Sequence, residues 1–147
     1  MISSSLKIIP FTSSDEEYQK LYELEKSLDY HVKDWGSVEM LKYHAGRIPE
    51  KCKPETNFLS LNNKVFGYGY SAHDEWAFDP TLLDSNISFP SKEKYLPYAQ
   101  EYLDYQISVA QEMGQVKILR AWLWHGNDFY KTFYQKNGFE ITLTEYL

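Results

Sequence analysis

The sequence predicts an α+β domain on a mixed β-sheet, with helices on both faces. Three observations point there. Strand-like segments over 58–61, 64–70 and 82–89 follow one another without helices between them, which excludes a doubly wound parallel fold. A nearly unbroken apolar run over 116–124 reads as a central strand covered on both sides. The segments flanking these carry apolar residues at helical spacing. At 147 residues the chain is expected to form one domain, 1–147, burying roughly 70% of its unfolded surface without covalent staples.

Each element has a local cause. A first strand over 6–11 ends at Pro10 and the Ser/Thr cluster behind it. Ser14 and Glu17 have the spacing of a capping box, and Tyr18, Leu21, Tyr22 and Leu28 continue from it as a helix over 15–28. Ser37 caps a shorter helix over 38–45, which Gly46 is expected to close. Asn62-Asn63 suits the left-handed dihedrals of a tight hairpin. Gly67 and Gly69 fall on one face of the following strand, so a backbone or a ligand can approach it closely.

The strand over 82–89 turns Leu83, Ile87 and Phe89 to one side and Asp84, Asn86 and Ser88 to the other. Pro97 fits the first turn of a long helix with Leu103, Ile107 and Ala110 on its buried stripe, and Gly114 its end. Asn127 opens a last helix carrying Phe129, Tyr130, Phe133 and Tyr134, terminated by Gly138, and 140–146 alternates as a final strand. The predicted order is β-α-α-β-β-β-α-β-α-β.

Composition narrows the function classes. Hydrophobic residues make up 43% and charged residues 24%, a globular balance. The net charge is −6, and each half, divided after Glu75, carries −3 (9 basic against 12 acidic residues, then 6 against 9). Without a basic cluster, a nucleic-acid partner is not expected. No apolar run approaches a membrane span, and the first residues lack a signal-peptide pattern. The single cysteine, Cys52, excludes an internal disulfide framework and multi-cysteine metal sites, so a reducing cytoplasmic setting is the expectation. His31, His44, His73 and His125 form no H-x-x-x-H pair, and no metal site is expected. Aromatic content is 17%; the rings either pad a core or line a cleft. No phosphate-binding glycine loop or nucleophile elbow occurs.

One stretch is more specific. The apolar strand over 116–124, then Asn127, then Phe133-Tyr134-Gln135-Lys136-Asn137-Gly138-Phe139, resembles the GCN5-related N-acetyltransferases (GNAT) in both residues and spacing. The residue match covers roughly the last 30 positions; the element order extends it over most of the chain. The resemblance implies a GNAT-like mixed sheet and an acyltransferase that moves an acetyl group from acetyl-CoA to an amine, small molecule or peptide, by direct attack.

It implies that the backbone of Ile87, Ser88 and Phe89 pairs with the pantetheine arm and polarises the thioester carbonyl. It also implies that Asn127 contacts the arm and that Tyr134 protonates the departing thiolate. On periodicity alone, Tyr134 reads as a core ring, and only the resemblance gives it the catalytic position. The general base is left open among Asp74, Glu75, Asp84 and a water.

The sequence departs from the family in one place. Where family members carry a Q/R-x-x-G-x-G/A loop, the segment over 90–99 has no glycine, and Glu93 brings a negative charge. Two alternatives follow: a phosphate site rebuilt on Lys92, Lys94 and Tyr95, or a non-catalytic domain of the same fold that binds a ligand or partner. The chain also ends after its sixth predicted strand, whereas family domains usually have a seventh. Two expectations follow: a domain that has lost its cofactor loop and supports a second domain of this fold, as in some tandem relatives, or a chain that completes its sheet by pairing with another copy.

Overall fold

The computed structural model describes residues 5–28, 36–123 and 127–142. Its elements run β1 (Lys7–Pro10), α1 (Asp15–Ser27), α2 (Val38–Gly46), β2 (Glu55–Leu61), β3 (Lys64–Ala72), β4 (Leu82–Ser88), α3 (Leu96–Glu112), β5 (Ile118–Arg120) and α4 (Asp128–Lys136). The strands lie in chain order in one sheet, antiparallel from β1 to β4 and parallel between β4 and β5. A parallel step needs a crossover, and α3 supplies it. The mixed α+β architecture is as predicted. Among the described residues no helix is long and apolar enough to cross a membrane.

Turn and cap chemistry places the boundaries. Asn62 and Asn63 both have positive φ (50° and 64°), so the two-residue hairpin between β2 and β3 forms as its sequence requires. The Ser14 hydroxyl accepts the Glu17 amide at 3.2 Å, and the Glu17 carboxylate accepts the Ser14 amide at 3.1 Å. Hydrogen bonds from Thr12 and Ser14, led by the Thr12 hydroxyl, hold the Glu17 carboxyl at about 2, below its ordinary value. That depression stabilises the fold above the ordinary glutamate range and is lost as pH falls from about 4.5 towards about 2. Ser14→Ala is expected to cost about 1 kcal/mol in denaturant unfolding at neutral pH. Glu17→Gln is expected to flatten the acid limb of the stability curve.

Two layers of core cover the sheet. On one face, Tyr18 and Leu21 of α1 and Leu41 of α2 pack on Phe58, with Val65 and Tyr68 beside them. On the other, Ala99, Tyr102 and Leu103 of α3 join Tyr130, Phe133 and Tyr134 of α4 over Leu59, Phe66, Ile87 and Phe89. Many rings therefore serve as core, stacked or edge-on to one another as at Phe66–Tyr95 (4.8 Å) and Phe89–Tyr130 (5.0 Å). Cys52 is buried in a 3-10 turn (Glu50–Cys52), and its carbonyl accepts the His73 amide at 2.8 Å. His73 is itself a buried packing histidine, with Nδ1 2.8 Å from the Leu82 carbonyl.

Three expectations change. The apolar run over 116–124 yields only a three-residue strand, with Ile118 55% exposed, instead of a long covered one. Hydrophobicity predicted burial there, but pairing stops where β4 and β5 part. Gly46 lies inside α2, and Arg47 forms its C-cap in right-handed geometry, so the helix does not end on a left-handed glycine. No strand forms over 140–142, and the rest of the last predicted strand lies outside the described residues. His31 and His125 also lie outside them.

Candidate active site

β5 pairs with β4 from Leu82↔Ile118 to Asp84↔Arg120, while β4 runs on to Ser88. At the start of this pairing the amides of Lys117 and Ile118 donate to the Thr81 carbonyl, at 2.7 and 3.0 Å. Because a strand's backbone groups alternate between edges, the N–H and C=O of Leu83, Ser85, Ile87 and Phe89 then face the β5 side. Those of Ser88 face β3, where Ser88 lies opposite Tyr68 and its carbonyl oxygen is 2.4 Å from the point a Gly67 Cβ would occupy. Of the three residues expected to offer amides to a pantetheine arm, Ile87 and Phe89 are therefore on the gap edge and Ser88 is not.

The base of the gap is braced by side chains. Arg120 forks onto Asp84, with Nε at 2.6 Å and Nη2 at 3.1 Å, and its Nη2 also reaches Asp74 at 3.4 Å. The hydrogen bond to Asp84 raises the Arg120 pKa above its ordinary value. One step further, the Asn86 side-chain amide donates to the Trp122 carbonyl at 2.9 Å, linking β4 to the segment that follows β5. Among the described residues Asp74 and Asp84 are committed to Arg120, so Glu75 is the sequence-named carboxylate outside that cluster.

α4 roofs the gap. Asn127 caps it, its Oδ1 accepting the Tyr130 amide at 3.2 Å, so one role of this asparagine is to set where the helix begins. Tyr130 and Tyr134, four residues apart, share a helix face. Tyr130 is fully buried, and its hydroxyl both accepts the Phe89 amide at 2.9 Å and donates to the Phe89 carbonyl. Tyr134, 3% exposed, sits edge-on to Phe133 (5.2 Å) and Phe139 (5.0 Å). Sequence reasoning singled out Tyr134 and missed Tyr130; periodicity placed both on one stripe, and nothing in it showed which ring would reach β4.

The lead-in to α3 is a 3-10 turn (Glu93–Tyr95) running directly into the helix, with no side-chain cap. The Lys92 amide is taken by the Pro90 carbonyl at 2.7 Å. Lys92 and Lys94 are exposed at this positive helix end, and the Lys94 ammonium lies 5.1 Å from the Tyr95 ring centre. Tyr95 stacks on Phe66. The three candidate phosphate contacts are thus grouped at one corner of the sheet, with Tyr95 half-committed to the core.

No family model and no curated protein matches the sequence. Solved structures do. A GNAT-family acetyltransferase from Streptococcus pneumoniae superposes with a TM-score of 0.68 over 94% of this chain and 86% of that one, at 18% identity. The chain has the GNAT acetyltransferase fold. The structural likeness extends to the Campylobacter jejuni N-acetyltransferase PseH in complex with acetyl coenzyme A, with a TM-score of 0.63 at 14% identity over 96% and 92% of the two chains. Ard1 from Thermoplasma volcanium gives 0.65 at 16% identity, over 97% of this chain and 86% of that one. At these identities the shared property is the fold.

Proposed function

We propose that this chain is an acetyl-CoA-dependent N-acetyltransferase acting on an amine. The observation that carries the reading is the parting of β4 and β5 after Asp84 and Arg120, which leaves strand-edge groups of β4 facing a gap roofed by α4. In the GNAT fold that gap is the place for the thioester arm. When bound, acetyl-CoA supplies the activated acyl group. The chain's own part is to hold the arm along Ile87 and Phe89, to offer a proton from the Tyr134 hydroxyl, and to meet the diphosphate with Lys92 and Lys94. An extended arm pairing with a strand edge is a backbone-recognition mode needing no particular side chains. Of the candidate bases, Glu75 fits best because Arg120 occupies the other two carboxylates.

Calorimetric titration of acetyl-CoA at moderate salt tests the reading. Binding in the micromolar range supports it. A second reading, a non-catalytic GNAT-fold domain, is favoured by the glycine-free turn before α3; no binding at millimolar acetyl-CoA, by the wild type or by a folded Tyr130→Phe variant, would select that reading. Replacing both Lys92 and Lys94 by Ala is expected to weaken acetyl-CoA about fivefold, corresponding to about 1 kcal/mol for two exposed ion pairs. The loss should shrink as salt rises. S-acetylpantetheine, which lacks the diphosphate, should bind both forms equally.

A further inference from the structure

We propose that Tyr130 is a built-in competitor for the acyl-CoA arm: its hydroxyl occupies the backbone groups at the end of β4 that the pantetheine must use, and cofactor enters only by displacing it. The inference rests on the acetyltransferase reading above and adds a residue that neither motif nor fold assigns.

Phe89 carries the argument. In an extended residue the N–H and C=O point to the same edge, so one incoming group can engage both. Here one hydroxyl does so: Tyr130 accepts the Phe89 N–H at 2.9 Å and donates to the Phe89 carbonyl. Its ring fills the adjoining space, 5.0 Å from Phe89 and 5.8 Å from Phe129, and no part of it reaches solvent. A pantetheine amide offers the same pair, one donor and one acceptor. The single Phe89 N–H can donate to only one of the two acceptors, so the hydroxyl and the arm exclude each other at that donor. The hydroxyl therefore protects β4 from carrying an unpaired buried amide when the gap holds no arm.

The proposed role is distinct from that of the phosphate residues. Tyr130 acts on the arm, whereas Lys92 and Lys94 act on the diphosphate. A truncated ligand without the diphosphate reports on Tyr130 alone.

The test is titration of acetyl-CoA and of S-acetylpantetheine into the wild-type chain, Tyr130→Phe and Tyr130→Ala, with folding checked by circular dichroism. Tyr130→Phe keeps the buried ring and removes the competing oxygen, so it guards against a loss of fold in the alanine variant. Both ligands are expected to bind Tyr130→Phe at least tenfold more tightly than wild type. If the wild type binds acetyl-CoA and folded Tyr130→Phe binds no tighter, the competitor role is overturned while the acetyltransferase reading stands. If neither the wild type nor a folded Tyr130 variant binds either ligand, both are overturned.

Discussion

Gly69→Ala is expected to destabilise the chain by about 3 kcal/mol, lowering its melting temperature by about 10 °C. A methyl at Gly69 would lie 1.9 Å from Cε2 of Tyr102 and 2.4 Å from its hydroxyl. Tyr102 has little room to give. It is 1% exposed, its hydroxyl accepts from Asn57 at 2.9 Å, and its ring stacks on Tyr105 at 5.5 Å. Moving it breaks a part-buried chain in which Asn57 and Tyr105 both donate to the Glu55 carboxylate, at 2.9 and 3.0 Å. Such networks lose more than one bond when one member shifts.

Two comparisons isolate the cause. Gly46→Ala, where a Cβ meets nothing within 4 Å, should leave the melting temperature unchanged or slightly raised. Adding Tyr102→Leu to Gly69→Ala should recover part of the loss, since the two side chains compete for one space. A Gly69→Ala melting curve matching wild type would show that α3 does not press on the sheet there.

That close approach was half legible in the sequence. Spacing put Gly67 and Gly69 on one bare strand face, but only the packed structure names what approaches: the ring of Tyr102 at one and the Ser88 carbonyl at the other. The same division runs through the molecule. Ser14, Glu17 and the Asn62-Asn63 pair act within a few residues of themselves, so their chemistry fixed α1 and the hairpin directly. Arg120 and Asp84 are 36 positions apart and meet only because β4 and β5 pair in parallel register. The apolar run around β5 advertised burial without saying where pairing would stop. Stopping depends on partner strands, which a single segment does not encode.

Tyr134→Phe is expected to lower kcat about a hundredfold, with acetyl-CoA affinity changed by less than about threefold. The substitution removes one oxygen and keeps the ring that packs between Phe133 and Phe139, so the α4 core survives. An interaction made only while the thiolate departs stabilises the transition state and not the bound complex, which puts its loss in kcat. One helical turn earlier, removing the Tyr130 hydroxyl has the opposite signature: tighter binding, from release of the Phe89 backbone groups. Two hydroxyls on one face of α4 would then act on different steps, one on admission of the arm and one on proton delivery. Measured with an amine that the wild type accepts, unchanged turnover in Tyr134→Phe would reduce that residue to a core ring. The proton would then have to come from another group.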